Sequence, residues 1–406
     1  MPAIKCRVSG SIVLLVSAAY FLACGGGSSH PSNTIVTSGS NVQSITVDSG
    51  PANGYANGVF TSVTVCVPST SNCQVIDGVL VDTGSYGLRL LSSAGGGALT
   101  VPLPQQMGSN GNPIGECAPF VTGLTWGPVA TADIMISGEK ASALPIQVID
   151  GTFAALPSEC SAFGVPEQET LTGTNGLYTN GILGVGPLVQ DCNQCTQTGS
   201  ANPGLYYDCA GTTCTVTAQA LAQQVQNPVA SFATDNNGVI VELPYSSNPS
   251  PSVSGSLVFG IGTQTNNAVS NATVFSISPN IEINTSYNGQ SYPAFVDSGS
   301  NAYYFLDSGT TSLPDCPSPN TSFYCPSSNQ NLSAMALSGG ASEKVSFTIG
   351  NANSMFSSPS AFVFPTLGGP NTGVFDWGLP FFFGRNVYTA INGKSTPSGE
   401  GPYWAF

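Results

Sequence analysis

The sequence predicts an all-β protein with few short helices, folded as two lobes. Its composition is the first reason, because only 7% of its 406 residues are charged while 48 are glycine and 30 are proline. Short strands joined by many turns have this composition, whereas long surface helices need more Lys, Glu and Arg. The second reason is length, which exceeds that of most single compact domains. The third is a short motif that occurs once in each half.

Four runs have the alternating or β-branched pattern of strands and are bounded by Gly, Pro, Asn or Ser. They are residues 62–67, 131–136, 238–243 and 345–349. The best helix candidate is the Ala- and Gln-rich run 218–226. It stops before Pro228, as a helix should, because the residue before proline is disfavoured in the helical conformation.

The first 24 residues predict a signal peptide, which is excluded from the fold. A short basic region with Lys5 and Arg7 precedes an apolar run at 12–23, which is too short to span a bilayer comfortably. The sequence Phe-Leu-Ala-Cys at 21–24 is similar to a bacterial lipobox, which predicts that Cys24 is acylated and becomes the mature N-terminus. The alternative is a plain secretory signal with an incidental cysteine.

Residues 25–40 are rich in Gly, Ser and Asn and predict a flexible tether. Both interpretations of the signal export the protein. We expect it in a bacterial cell envelope, lipid-anchored to the outer membrane, or otherwise periplasmic or extracellular. The membrane is then a partner only through the lipid anchor.

Ten of the twelve cysteines lie outside the signal, and an even number in an oxidising compartment predicts disulfides. The expected pairs are Cys66 with Cys73, Cys316 with Cys325, and Cys117 with Cys160. Cys192, Cys195, Cys209 and Cys214 form a cluster with three possible pairings. The close spacing of Cys192 and Cys195 also occurs in metal and redox sites, but no clustered histidine accompanies it.

Several classes of enzyme are excluded by the residues that are missing. The only histidine is His30, in the tether, so the folded part cannot build a Ser-His-Asp or Cys-His hydrolase or a histidine-rich zinc site. No glycine-rich loop carries a phosphate-binding lysine. The net charge of −14 repels phosphate backbones, so nucleic acid is not an expected partner. Any catalysis must therefore use carboxylates.

The two halves repeat one pattern. Residues 81–85 read Val-Asp-Thr-Gly-Ser and residues 296–300 read Val-Asp-Ser-Gly-Ser, and each is followed by a largely apolar run. Further along, each half has a short segment rich in apolar residues with a central glycine, Gly184 in the first half and Gly378 in the second. Such a repeat predicts a duplicated architecture. We expect one lobe at 41–248 and the other at 249–406.

This repeat resembles that of the pepsin-like aspartic peptidases, and is most similar to an uncharacterised family of bacterial lipoproteins with that fold. The resemblance implies a bilobal double barrel in which Asp82 and Asp297 are the catalytic pair. The resemblance also implies a role for each of the other residues in the two loops. Gly84 and Gly299 allow close approach, Thr83 and Ser298 bond across to the opposite loop, and Ser85 and Ser300 bond the outer carboxylate oxygens.

Two carboxyls this close cannot both ionise easily, so they share a proton. The ionised member accepts a proton from water while the protonated member polarises the scissile carbonyl, and the resemblance implies that no metal or cofactor is needed. Two further Asp-Ser-Gly sequences compete with this assignment. Asp48 precedes Gly50 and Pro51 and is interpreted as a turn, whereas Asp307 is a rival to Asp297. We prefer Asp297 because residues 296–306 repeat the first motif more closely.

Residues 120–127 resemble the flap hairpin of the same family, with Phe120 and Trp126 as its aromatic residues. The family usually has tyrosine where this chain has Phe120, so a hydroxyl is missing. The leading hypothesis is a monomeric, exported aspartic endopeptidase acting on peptides or proteins. The alternatives are a non-catalytic cell-surface binding protein of the same fold and an unrelated β-rich surface lipoprotein.

Overall fold

Strands account for most of the ordered secondary structure in the computed structural model, which describes residues 33–406. The α-helices of this part are α1 (Ser158–Ser161), α2 (Ser308–Thr311) and α3 (Ala352–Phe356). None of them exceeds five residues. The predicted all-β class with few short helices is confirmed.

The strands of the first half carry the first Asp motif and its glycine partner. They are β1 (Val42–Asp48), β2 (Gly58–Cys66), β3 (Cys73–Asp82), β4 (Tyr86–Leu91), β5 (Ile114–Pro119), β6 (Leu124–Ile136), β7 (Glu139–Ile149), β8 (Gly181–Val185), β9 (Tyr206–Ala210), β10 (Thr213–Val216) and β11 (Gly238–Leu243).

The strands of the second half carry the second motif. They are β12 (Val253–Phe259), β13 (Val274–Ser276), β14 (Ile283–Tyr287), β15 (Gln290–Val296), β16 (Tyr303–Leu306), β17 (Gln330–Ser338), β18 (Ala341–Ile349), β19 (Gly368–Gly369), β20 (Asn371–Trp377), β21 (Arg385–Ala390), β22 (Ser395–Thr396), β23 (Gly399–Glu400) and β24 (Tyr403–Ala405).

Two large sheets organise these strands. The first has the order β10-β9-β5-β6-β7-β4-β8-β3-β2-β1-β12-β11-β21-β24-β13, and an additional pairing of β6 with β2 closes its central part into a barrel. The second has the order β18-β17-β14-β15-β20-β16-β19. Strands β1 and β12, one from each half, pair antiparallel and so join the halves. The boundary at 248/249 stays a prediction.

The duplication is visible in strand pairing. In the first half, β3 ends at Asp82 and pairs parallel with β8, which pairs antiparallel with β4. In the second half, β15 leads to Asp297 and pairs parallel with β20, which pairs antiparallel with β16. A continuous apolar core runs through both halves and includes Val81 from β3 and Val296 from β15, each fully buried. This core fixes the two Asp loops relative to each other.

The four predicted strand segments fall on β2, β6, β11 and β18. The predicted helix at 218–226 is wrong, because this segment forms only a single 3₁₀ turn at Leu221–Gln223. Its glutamines bond the main chain locally, and Gln224 Nε2 donates to the Gln219 carbonyl at 2.9 Å. The Gln219 N–H donates to the Cys195 carbonyl at 2.8 Å. Tertiary hydrogen bonds therefore override the helix propensity of the sequence.

Five disulfides join all ten cysteines of the described chain. They are Cys66–Cys73, Cys117–Cys160, Cys192–Cys195, Cys209–Cys214 and Cys316–Cys325. The first, second and fifth confirm the expected pairs, and the middle two select one of the three pairings of the cluster. Since Cys192 and Cys195 bond each other, they are not free to bind a metal. This many disulfides indicates export to an oxidising compartment.

Titration of free thiols in the denatured, unreduced protein tests this framework. We expect about zero reactive thiols from these ten cysteines, because each has a bonded partner. Two or more reactive thiols among them, located by alkylation and peptide mapping, would contradict the pairing.

Between residues 33 and 406, no helix is long and apolar enough to cross a bilayer. The predicted signal peptide, Cys24 and most of the tether lie outside the described residues.

Candidate active site

Asp82 and Asp297 each lie at the start of a tight loop that follows a buried strand. The Gly84 N–H donates to Asp82 Oδ1 at 2.8 Å, and the Gly299 N–H donates to Asp297 Oδ1 at 2.7 Å. The outer oxygens accept from hydroxyls. Ser85 donates to Asp82 Oδ2 at 2.5 Å and Ser300 donates to Asp297 Oδ2 at 2.9 Å. The two loops therefore hold their carboxyls in the same way.

Thr83 and Ser298 lock the loops together through four hydrogen bonds. The Thr83 N–H donates to Ser298 Oγ at 3.1 Å, and the Ser298 N–H donates to Thr83 Oγ1 at 2.9 Å. Each hydroxyl then donates to a carbonyl of the other half, from Thr83 to Val296 at 3.2 Å and from Ser298 to Val81 at 2.7 Å. Both side chains are fully buried. Every donor and acceptor of this junction is thus satisfied without water.

Glycine is required in both loops because of space. A Cβ atom at Gly84 would lie 2.5 Å from Cγ of Asp297, and one at Gly299 would lie 2.7 Å from Cγ of Asp82. Each loop backbone thus packs directly on the carboxyl of the opposite half. The two carboxyls are therefore close enough for the charge of Asp82 to act on the pKa of Asp297. Any side chain at either glycine would separate the pair.

Gly184 and Gly378 pack against the segments that carry the two Asp loops. Asp82 pairs with Gly184 across β3 and β8, and the Asp297 N–H donates to the Trp377 carbonyl at 3.1 Å. A Cβ at Gly184 would lie 2.7 Å from the Tyr86 nitrogen, and one at Gly378 would collide with the Ala302 carbonyl oxygen. The predicted apolar-Gly partners therefore pack against the chain that follows each Asp loop.

Burial and the neighbouring carboxylate make this pair unusual in its protonation. Burial, followed by the charge and hydrogen bond of Asp82, raises the pKa of Asp297 to about 8, although Ser300 and the Gly299 N–H oppose the shift. Asp82 is 7% exposed, while Asp297, Ser85 and Ser300 are partly exposed. Asp297 is thus mainly protonated near neutral pH, and the pair faces solvent on one side.

Two tyrosines of the first half face the carboxyl pair. Burial, and then the charges of Asp82 and Asp297, raise the pKa of both Tyr55 and Tyr86. Tyr86 directly follows the first motif, so the sequence contained a signal for it. Tyr55 lies between β1 and β2 and had no such signal. Both phenols stay protonated hydrogen-bond donors beside the dyad.

The other two Asp-Ser-Gly sequences have local structural roles, one as a helix cap and one as a turn. Asp307 is the N-cap of α2, and its Oδ1 accepts from the Thr310 N–H at 2.8 Å. Asp48 Oδ1 accepts from the Gly50 N–H at 2.8 Å, which forms a turn. It is Asp297, and not Asp307, that lies against the loop of Asp82.

The predicted flap is a hairpin of β5 and β6 whose turn contains Phe120 and closes with a 2.7 Å bond from the Phe120 N–H to the Gly123 carbonyl. The guanidinium of Arg89, seven residues after Asp82, lies 5.7 Å from the centre of the Phe120 ring. Trp126 is fully buried and donates from Nε1 to the Ala154 carbonyl at 2.9 Å. Phe120 thus lies at the hairpin end, whereas Trp126 belongs to the hairpin's core.

A buried ionic cluster anchors this hairpin, and no sequence pattern predicted it. Arg89 Nη2 lies 2.6 Å from Glu116 on β5 and 2.8 Å from Asp191, and all three side chains are less than 10% exposed. The Tyr206 hydroxyl donates to Asp191 at 2.7 Å. Burial raises the pKa of Glu116 well above its usual range, although Arg89 opposes this. The charge pattern gave no signal because these residues are far apart in sequence.

The chain belongs to a family described as a protein of unknown function (DUF3443), whose sequence profile matches residues 37–406. No curated protein matches the chain. Among solved structures, the crystal structure of aspartic proteinase from Irpex lacteus is similar, with a TM-score of 0.51 and 15% sequence identity. The match covers 90% of this chain and 96% of that chain. At this identity the likeness shows the fold alone, and the predicted bilobal, pepsin-like all-β fold is confirmed.

Proposed function

We propose that the protein is an exported aspartic endopeptidase with Asp82 and Asp297 as its catalytic dyad. The observation that carries the proposal is that each Asp loop packs directly on the carboxyl of the other, and that both carboxyls are held by the same loop geometry. A protein that needs only turns at these positions has no reason to bring two carboxyls together, because their repulsion and burial cost free energy.

The geometry supports a water-activated mechanism. The ionised carboxyl accepts a proton from a water held between the two, and the resulting hydroxide attacks the peptide carbonyl carbon. The protonated carboxyl donates a hydrogen bond to the carbonyl oxygen as the tetrahedral intermediate forms. Transfer of a proton to the leaving nitrogen breaks the peptide bond and restores the shared proton. The inner oxygens are fixed by the Gly84 and Gly299 N–H groups, so the carboxyls need little reorganisation.

A second candidate is a non-catalytic peptide-binding protein of the same fold. The observation in its favour is the hairpin, where Phe120 offers no hydroxyl and the buried Arg89–Glu116 pair restrains the strand that leads to it. Such a protein would hold an extended peptide against the two Asp loops without cleaving it.

Incubation with unfolded protein substrates between pH 3 and pH 8 separates the two candidates. An endopeptidase yields new internal cleavage sites by mass spectrometry, and the transition-state mimic pepstatin suppresses them. Binding of the same peptides without any cleavage, by a protein with its disulfides intact, would favour the binding protein and contradict the proposed activity.

We further propose that Cys24 is lipidated and anchors the protein in the cell envelope, on the basis of the Phe-Leu-Ala-Cys sequence at 21–24. Replacement of Cys24 by Ala is expected to move the protein from the membrane fraction to the soluble fraction of a fractionated bacterial host. Unchanged membrane association of the Cys24→Ala variant would contradict the anchor. We also propose that the protein acts as a monomer on peptide or protein substrates.

A further inference from the structure

A third carboxyl, Asp376, lies beside the dyad at a position where the other half has an apolar residue. On β20, Asp376 pairs with Phe295 of β15 and with Tyr304 of β16. The corresponding position of β8 pairs with Leu80 and Arg89, and it is occupied by Ile182. Both residues are only 5% exposed. The two halves are therefore alike in backbone and differ here by a buried carboxyl.

Asp376 is poorly satisfied for a buried group. Its Oδ1 has no hydrogen-bond partner in the described chain, and the nearby Ser300 hydroxyl, which acts on its pKa, donates instead to Asp297. The titratable groups that face it are Asp297 and Asp82 in the loops and the Tyr304 phenol on β16. None of these is a cation. A buried carboxylate without a cation is costly, so the neutral acid is favoured.

The hydrogen bonds of Ser300 give the acid a defined role. A hydroxyl has a single proton to donate, and Ser300 donates it to Asp297 Oδ2 at 2.9 Å. A second carboxylate cannot share that proton, but a protonated carboxyl can donate to the lone pairs of the same oxygen. Burial, the charge of Asp297 and then that of Asp82 raise the pKa of Asp376 well above its usual range, while Ser300 opposes the shift.

We propose that Asp376 is a positioning residue of the dyad, whose protonated carboxyl donates to the Ser300 hydroxyl, which in turn donates to Oδ2 of Asp297. This relay orients Ser300 and polarises its hydroxyl, so the hydrogen bond to Asp297 is strengthened. It fixes one carboxyl of the pair from outside and makes the two halves of the site inequivalent. The inference rests on the proposed peptidase function for its kinetic consequence, but the hydrogen-bond relay does not depend on it.

Two substitutions of Asp376 distinguish the effect of its hydrogen-bond donor from the effect of its size and shape. Asp376→Ile places in β20 the residue that β8 has at the corresponding position, and it removes the donor. Asp376→Asn keeps a donor in its amide NH₂ group. We expect kcat to fall about tenfold in Asp376→Ile with KM within about twofold of the wild type, which corresponds to the loss of one hydrogen bond in the active site. In Asp376→Asn we expect kcat within about threefold of the wild type.

Glu242→Gln is the matched control. Glu242 on β11 is also a buried carboxyl, and burial raises its pKa to about 7 while the bond from the Val36 N–H opposes the shift. It has no contact with the Asp loops, so its change to an amide should leave kcat and KM unchanged. The relay would be overturned if Asp376→Ile had the same kcat as the wild type. It would also be overturned if the Ile and Asn variants lost kcat by the same factor.

A stability measurement tests the relay even if the wild-type protein cleaves no peptide. In that case the proposed peptidase function is wrong, while the relay can still be correct. Asp376→Ile, Ser300→Ala and the double variant form a cycle of unfolding free energies at pH 5. Coupling of the two positions beyond the error of the cycle supports the relay. Additive effects would overturn it, because partners in one hydrogen-bond chain cannot be independent. Asp376→Ala, which also removes the donor, repeats the cycle with Ser300→Ala if the Ile variant does not fold.

Discussion

Replacing either Asp82 or Asp297 by Asn is expected to reduce peptide cleavage by at least about 10³-fold while the fold stays intact. An amide cannot act as the base that takes a proton from water, and it cannot share a proton with the remaining carboxyl. Both variants keep the loop bonds from Gly84 and Gly299, since an amide oxygen can accept them. The measurement is the initial rate of cleavage of one peptide substrate by matched, purified proteins.

Asp307→Asn is the control for this prediction. It changes the same residue type in a third Asp-Ser-Gly sequence, and the amide can keep the cap on the Thr310 N–H. Its cleavage rate should equal that of the wild type. Activity lost in Asp307→Asn but retained in Asp297→Asn would contradict the assignment of the dyad.

The same Asp297 variant should also change stability in a direction that the pKa fixes. The folded pKa of Asp297, about 8, lies above the usual value near 3.9 in the unfolded chain. The folded state therefore binds more protons in this window, and stability decreases as the pH rises from about 4 to about 8. Asp297→Asn removes this loss, so its melting temperature should equal or exceed that of the wild type at pH 8. A large decrease there would indicate that the loop had been disrupted.

The second large effect is on stability and concerns Arg89. Replacing Arg89 by Met should reduce the free energy of unfolding at pH 7 by about 3–5 kcal/mol, because Glu116 and Asp191 then remain buried without a cation. The loss should shrink toward pH 4, where protonated carboxyls no longer need a positive partner. Denaturant unfolding at the two pH values measures both quantities.

Lys140→Met is the matched control for Arg89→Met. Lys140 lies 2.7 Å from Asp133, but its side chain is 49% exposed. An exposed ion pair of this kind contributes about 1 kcal/mol or less to the free energy of unfolding, because water screens it. Equal losses in the two variants would contradict the view that burial makes the Arg89 cluster important.

The sequence was most informative where one chemical task requires particular residue types. Two carboxyls can meet only on loops with glycine at the point of approach, so the motifs around Asp82 and Asp297 predicted both the loops and the two-lobed fold. The choice between Asp297 and Asp307 also followed from the repeat. In the structure, Asp297 lies against Gly84 and Asp307 caps a helix.

The sequence was least informative where distant residues meet. Arg89 and Asp191 are 102 positions apart, and no local pattern marks their contact. Asp376 lies in the apolar segment that contains Gly378, but its burial depends on β15 and β16. The helix predicted at 218–226 failed for the same reason, since the hydrogen bond from the Gln219 N–H to the Cys192–Cys195 turn and the bonds within the segment outweigh local propensity.

The pH–rate profile of the wild-type protein tests the central claim most directly. If Asp82 and Asp297 share one catalytic proton, cleavage of a single peptide should be lost in strong acid, where both carboxyls are protonated. It should also be lost as the pH rises through the pKa of Asp297, about 8, where both are ionised. The account predicts this two-sided profile, with apparent pKa values that belong to the pair. Cleavage that persists unchanged above pH 10, or no cleavage at any pH by the folded protein, would contradict it.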